Sequence, residues 1–183
     1  MGSDKAFLDF SGKPLIERIL STIRGVCGGI VIVTNSPEKY TAYGVTVVTD
    51  FFEKRGPLTG IYSGLRQSRD EYSFVVACDM PYLNKALMAY MAGLAPGYDA
   101  VVPALGNLLE PLHAIYRRSL LPVMENQINQ DDQRIRRMFP TLRVRYVEQE
   151  EIDRFDPERK SFKNLNTPQE YEEAACADWE CRS

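Results

Sequence analysis

Only one histidine, His113, and four cysteines, Cys27, Cys78, Cys176 and Cys181, occur in the 183 residues. One imidazole excludes a multi-histidine metal site and leaves a Ser-His-Asp triad without support. The cysteines form no C-x-x-C pair and follow no disulfide framework, so reduced thiols are expected. Apolar runs are too short to span a membrane, and no segment reads as a secretory signal. The net charge of -3 and pI near 5.3 give no basic footprint of the kind nucleic-acid surfaces carry. No G-x-G-x-x-G follows a strand, which removes a nicotinamide-type dehydrogenase from consideration. A cytoplasmic protein that binds neither nucleic acid nor membrane is the expectation.

Hydrophobic residues make up 44% of the chain, enough for one well-filled core. Pro14 to Arg24 reads as a helix, with Pro14 in its first turn, an apolar stripe at Leu15, Ile16, Ile19, Leu20 and Ile23, and Gly25 as its stop. The run Gly29 to Thr34 is β-branched and apolar on both faces, the mark of a fully buried strand. Val45 to Thr49 is a second strand and Phe74 to Cys78 a third buried one, with a helix from Leu58 to Gln67 between them. Asn84 caps a helix that reaches Leu94 with Leu87, Tyr90, Met91 and Leu94 inward, and Ala100 to Val102 is a short strand. Strands alternating with helices predict an α/β fold, a three-layer α/β/α sandwich on a mostly parallel sheet.

The later part is more mixed. Ala114 to Tyr116 and Leu142 to Val147 read as strands, and residues 119–129 and 132–138 as helices. Thr167, Pro168 and Glu170 form the start signal of a last helix. Residues 1–175 make one domain, and residues 176–183 are expected to be a disordered tail. His113 is expected to lie beside the central strand and satisfy a local hydrogen bond.

Ligands of open parallel sheets bind outside the carboxyl ends of the strands. Three strands here end in polar residues: Asn35, Asp50 and Asp79. A carboxylate such as Asp79 in that place suits a hard cation that bridges to phosphates, and Asp50 suits either the same metal or a substrate hydroxyl. Capping of a turn or of the next helix is the plainer reading for each. Gly56-Pro57-Leu58-Thr59-Gly60 makes either an ordinary strand-to-helix turn or an anion site, where free N–H groups and the bare Gly60 let a ligand approach. Lys5, in Gly2-Ser3-Asp4-Lys5, is placed to neutralise phosphate charge. The segment Arg134 to Arg137 suits phosphate, or else is a solvated face.

Taken together, four segments in order resemble the molybdenum cofactor guanylyltransferases, the MobA-like branch of the nucleotidyltransferases. They are MGSDKAFLDFSGKPLIERIL, TDFFEKRGPLTGI, VVACDMPYL and FKNLNTPQEY, with PLHAIYRRSLLP between the last two. The resemblance covers the chain to about residue 175 and implies the nucleotide-diphospho-sugar-transferase-like fold. It implies transfer of GMP from GTP to molybdopterin, with Mg²⁺ as cofactor and pyrophosphate as leaving group. Other cofactor-biosynthesis proteins and recipient molybdoenzymes are the implied partners. It gives Lys5 and Asp79 catalytic roles, Gly2, Lys5, Asn35, Asp50, Gly56, Gly60 and Asp79 nucleotide contacts, and Asp79 and Asp50 the metal. Asn164, Asn166 and Arg136 become contacts of the pterin or of the late motif.

The family's loop, L-x-G-G-x-S-x-R-M-G-x-D-K after a buried strand, has only its end in this sequence. The resemblance therefore implies that the natural chain begins upstream and that Met1 is internal. A pterin cytidylyltransferase, a sugar-phosphate nucleotidyltransferase and a non-catalytic nucleotide- or pterin-binding protein are the competing readings.

Overall fold

Short elements lead into the first helix. The computed structural model describes residues 5–10, 12–165 and 170–171. A 3₁₀ turn, Lys5–Phe7, precedes a small hairpin of β1 (Asp9–Phe10) and β2 (Lys13–Pro14). Its turn needs Gly12, whose φ of +84° is costly for any side chain. Helix α1 (Leu15–Ile23) starts one residue later than expected, because Pro14 is the cap rather than the first helical residue. Its stripe buries Leu15, Ile16, Ile19 and Leu20, while Ile23 is half-buried.

β3 (Val31–Val33) and β4 (Thr46–Val48) then form a two-stranded parallel sheet, followed by α2 (Pro57–Gln67). A second sheet is built from β5 (Tyr72–Val76), β6 (Ala100–Leu105), the short β7 (Leu108–Leu109), β8 (His113–Arg117) and β9 (Val144–Glu148). Its order is β5-β8-β6, with β9 also on β6 and β7 at the far end of β6. Strand β8 runs antiparallel to both β5 and β6, and β9 is parallel to β6. Thus β5, β6 and β9 point one way and β8 is reversed, which gives the mixed, mostly parallel arrangement expected.

Helix α3 (Lys85–Leu94) is capped as the sequence predicts, since the Asn84 Oδ1 accepts the N–H groups of Ala86 and Leu87 at 2.9 and 3.0 Å. Its buried residues are Leu87, Met88 and Met91; Tyr90 and Leu94 are half-buried. α4 (Leu121–Asn129) follows β8, and α5 (Gln149–Ile152) closes β9 with a reciprocal cap between Glu148 and Glu151. Residues 132–138 do not form the expected helix. Only a 3₁₀ turn, Ile135–Arg137, appears, because Asp132 turns back on Arg134 and fixes the preceding loop.

The helices sit in two layers. α2 and α4 cover one face of the larger sheet, where Leu58, Ile61, Met124 and Ile128 pack with Val102, Ala114 and Tyr116. α3 covers the other face, where Leu87 and Met91 meet Val101 and Ile115. β3 and β5, expected to be fully buried, are half-exposed along their lengths. Among the described residues each pairs with one neighbour only, and both line a cavity of about 830 Å³.

His113 is fully buried on β8, between the rings of Phe74 and Phe162 at 5.1 and 4.9 Å. Contrary to expectation, neither ring nitrogen has a hydrogen-bond partner among the described residues. Burial, opposed in part by Asp156, lowers its pKa to about 4 and keeps the ring neutral.

Candidate functional site

Polar groups collect where β3, β4 and β5 end. β3 gives way to Thr34 and the exposed Asn35, β4 to Thr49 and Asp50, and β5 to Ala77, Cys78 and Asp79. The Asn35 side-chain amide donates to the Asp50 Oδ2 at 3.0 Å. The two residues thus form one unit, and Asn35 orients the carboxylate. Beyond Asp50, the exposed ring of Phe51 stacks under the Arg66 guanidinium at 4.0 Å, and its backbone N–H bonds to the Ser63 hydroxyl at 2.9 Å.

Asp79 stands in a different setting. Its backbone carbonyl accepts the Leu165 N–H at 3.0 Å, which ties the late motif to this turn. Its Oδ1 is buried and has no hydrogen-bond partner among the described residues. A buried carboxylate oxygen without a partner is costly, and such atoms call for an external ligand or a functional reason. Close by, Tyr171 is buried and its hydroxyl also lacks a partner. Burial first, and then the charges of Asp79, Cys78 and Glu170, push that phenol up to about 12. Tyr171 packs with Leu165, Met80 and Met88, beside the Asp79 turn.

Of the two readings of the start of α2, the ordinary strand-to-helix turn fits better than an open anion site. A Cβ on Gly56 would meet the Gln133 side chain at 2.5–2.6 Å, so the missing side chain makes room for that amide. The Gln133 Oε1 accepts the Thr59 N–H at 3.1 Å, and its Nε2 donates to the Thr59 hydroxyl at 3.0 Å. Pro57 has no N–H to offer, and the Gly60 N–H is spent on the Gly56 carbonyl at 3.1 Å. Gly60 itself has open space around it and lines the central cavity.

Of the four arginine-segment residues, Arg134 is neutralised by Asp132 at 2.7 Å and Arg137 approaches the same carboxylate at 3.3 Å. Arg136 is exposed and donates to the Leu109 carbonyl. Lys5 is described by its backbone, in the 3₁₀ turn. Gly2, Asn166, Thr167, Pro168 and the tail 176–183 lie outside the described residues; Asn164 is exposed beside Leu165. Neither Cys27 nor Cys78 is in a disulfide bond among the described residues. Among the described residues no helix is long and apolar enough to cross a membrane. Nor do three or more His, Cys, Asp or Glu side chains gather at one point there.

Sequence reasoning missed Gln133 and Tyr171. The tyrosine closes the quoted FKNLNTPQEY segment, so a signal was present; the glutamine carried none.

Polar strand ends on an α/β sheet are where such folds bind their ligands. The chain superposes on 2-C-methyl-D-erythritol 4-phosphate cytidylyltransferase from Thermus thermophilus with a TM-score of 0.72, over 97% of this chain and 95% of that one, at 16% identity. That likeness is one of fold. A family description, the MobA-like NTP transferase domain, matches residues 1–148. A molybdenum cofactor guanylyltransferase from Desulfosudis oleivorans is 37% identical over 177 residues, 96% of this chain and 88% of that protein. A crystal structure of molybdopterin-guanine dinucleotide biosynthesis protein A from Archaeoglobus fulgidus matches with a TM-score of 0.85 and 28% identity, covering 98% of this chain and 92% of that one. The chain belongs to the MobA-like nucleotidyltransferase family.

Proposed function

We propose that the chain transfers the guanylyl group of GTP to the terminal phosphate of molybdopterin carrying molybdenum, and releases pyrophosphate. The observation that carries this reading is the Asp79 Oδ1, buried just past β5 and without a partner among the described residues. A single helix, α2, connects β4 to β5, the connection expected of strands that run the same way. Asp50 and Asp79 each stand past the carboxyl end of a strand, where α/β folds bind their ligands.

The pterin phosphate oxygen forms a bond to the α-phosphorus of GTP, and the bond from that phosphorus to the oxygen bridging to the β-phosphate breaks. The electron pair leaves with pyrophosphate. The nucleophile is already an anion, so no strong general base is required, and positioning and charge neutralisation supply the catalysis. Asp79 and Asp50 fit a divalent cation, because a hard ion is held by one or two carboxylates plus substrate phosphates rather than by a closed protein cage. Magnesium in that place supplies charge neutralisation at the phosphates. Asn35 fixes the Asp50 carboxylate through its 3.0 Å hydrogen bond. Lys5 neutralises nucleotide phosphate, and Gly60 leaves room for the nucleotide. Gly2, Asn164 and Asn166 take contact roles by their place in the family motifs. The exposed guanidinium of Arg136 serves the pterin phosphate, since Arg134 and Arg137 are engaged with Asp132.

Pyrophosphate release from GTP and molybdenum cofactor tests the reaction. Asp79→Ala is expected to lower the rate at least about 100-fold, the scale of losing a main electrostatic stabiliser. An unimpaired Asp79→Ala protein would sink the reading. Thermal shifts with GTP and with CTP test the base, and the larger shift is expected with GTP. Arg136→Ala is expected to weaken pterin binding with nucleotide binding unchanged; equal pterin affinity removes that role.

A further inference from the structure

A carboxylate that the proposed reaction has not used stands on the rim of the larger sheet. Glu110 opens the turn Glu110-Pro111-Leu112-His113, which the His113 N–H closes onto the Glu110 carbonyl at 3.1 Å, with proline in the second place as β-turns favour. The Glu110 N–H donates to the Pro103 carbonyl on β6 at 3.0 Å. His113 pairs with Val76, the last residue of β5, and the Ala77 N–H adds one more bond, to the Leu112 carbonyl at 3.1 Å. Asp79 follows Ala77 by two residues, and Glu110 precedes Leu112 by two. Because β5 and β8 run antiparallel, both residues lie past the same end of that pair.

The setting of the Glu110 side chain is unusual for a turn. It is half-buried, and burial raises its carboxyl above the ordinary carboxylate range, opposed in part by the charge of Arg136. No hydrogen bond or ion pair to its carboxylate occurs among the described residues. Arg136 donates to the carbonyl of Leu109, the residue before Glu110, and so stands beside the carboxylate without closing an ion pair on it. A carboxylate drawn out of water with no donor supplied by the protein calls for donors from a ligand.

Chemistry selects that ligand. A carboxylate only accepts, at two oxygens side by side, and it matches a pair of adjacent N–H donors. The 2-amino-4-oxopyrimidine ring shared by guanine and the pterins has such a pair, its ring N–H next to the exocyclic amine. Both substrates of the proposed reaction carry that ring. Asn35 and Asp50, which follow the strands of the smaller sheet, serve the nucleotide. Glu110 lies on the larger sheet beside Arg136, the residue that serves the acceptor's phosphate.

We infer that Glu110 is a specificity residue of the acceptor subsite, where its two carboxylate oxygens accept the ring N–H and the 2-amino N–H of the pterin. The inference rests on the acceptor being a pterin, as proposed above. Arg136 and Glu110 then make one subsite of opposite charges, the guanidinium for the anionic end of the acceptor and the carboxylate for its donor edge.

Two free rings test this on the full chain. Pterin and lumazine differ at position 2, an amine in the first and a carbonyl oxygen in the second. Pterin is expected to bind about tenfold more tightly, the scale of one well-made bidentate pair. Glu110→Gln is expected to reverse the order, since its amide offers one acceptor and one donor and so matches the N–H and oxygen of lumazine. Xanthosine triphosphate makes the same amine-to-oxygen change on the nucleotide, and GTP is expected to keep its lead over it in the variant. Equal binding of the two rings by the unaltered chain, or binding of neither, overturns the inference without requiring any variant to fold. An unreversed order in a Glu110→Gln protein that still binds GTP overturns it too. A reversal between GTP and xanthosine triphosphate ends it by putting Glu110 on the guanine. Pyrophosphate release keeps the two readings apart. An unchanged KM for the molybdenum cofactor in Glu110→Gln leaves the reaction standing and removes Glu110 from it, whereas no turnover by the unaltered chain removes the reaction itself.

Discussion

The side of the molecule around β6, β8 and β9 and the side around β3 and β5 are built from the same residue types and finished differently. Val101, Val102 and Ala114 are fully buried on β6 and β8; Val31, Val33, Val75 and Val76 are only half-buried on β3 and β5. The first group has strands on both sides and helices above and below. The second has one strand neighbour each. Burial of a β-branched residue is thus decided by its neighbours in the sheet, and the same half-open side carries the polar strand ends of the proposed site.

The largest effect that probes this contrast is a core truncation. Leu58→Ala on the dense side is expected to cost about 2–5 kcal/mol by denaturant unfolding, and Val33→Ala on the open side less than about 1.5 kcal/mol. Equal losses would erase the distinction. Next comes His113, buried in the dense side. Its folded pKa of about 4 lies below the ordinary 6.5, so the unfolded chain takes up the proton first as pH falls. Stability is therefore complete above pH 6.5 and is lost on the way down through pH 4, by about 3 kcal/mol. His113→Phe is expected to flatten that slope; an unchanged slope would place the titration elsewhere.

Smaller effects sharpen the functional side. Asp79→Ala removes a buried carboxylate oxygen without a partner, and is expected to raise the stability of the ligand-free protein by about 1 kcal/mol while it abolishes turnover. A destabilised variant would make Asp79 a structural residue. At the small end, Asn84→Ala removes the cap of α3 and should cost about 1 kcal/mol, read as a drop in thermal midpoint.

Much of the fold was legible in the chain. The stripe Leu15-Ile16-Ile19-Leu20 and the cap Asn84 give α1 and α3 through local spacing, and those helices appear within a residue or so of expectation. Residues 132–138 were misread because a local side-chain bond from Asp132 competes with helix formation, and propensity does not register it. Within the candidate site, Asn35, Asp50 and Asp79 were readable from the ends of apolar runs. The Asn35–Asp50 bond and the walls supplied by Gln133 and Tyr171 were not, since each joins residues distant along the chain.

By itself the sequence determined the helices, the order of the apolar strands and the motifs that place the chain in its family, because periodicity, capping and turn chemistry act over a few residues. Only the tertiary structure decided that β8 is reversed, that His113 and the Asp79 Oδ1 are buried without partners among the described residues, and that β3 and β5 fall in separate sheets. Those outcomes depend on which surfaces meet, and the meeting is set by packing and backbone pairing across the whole chain.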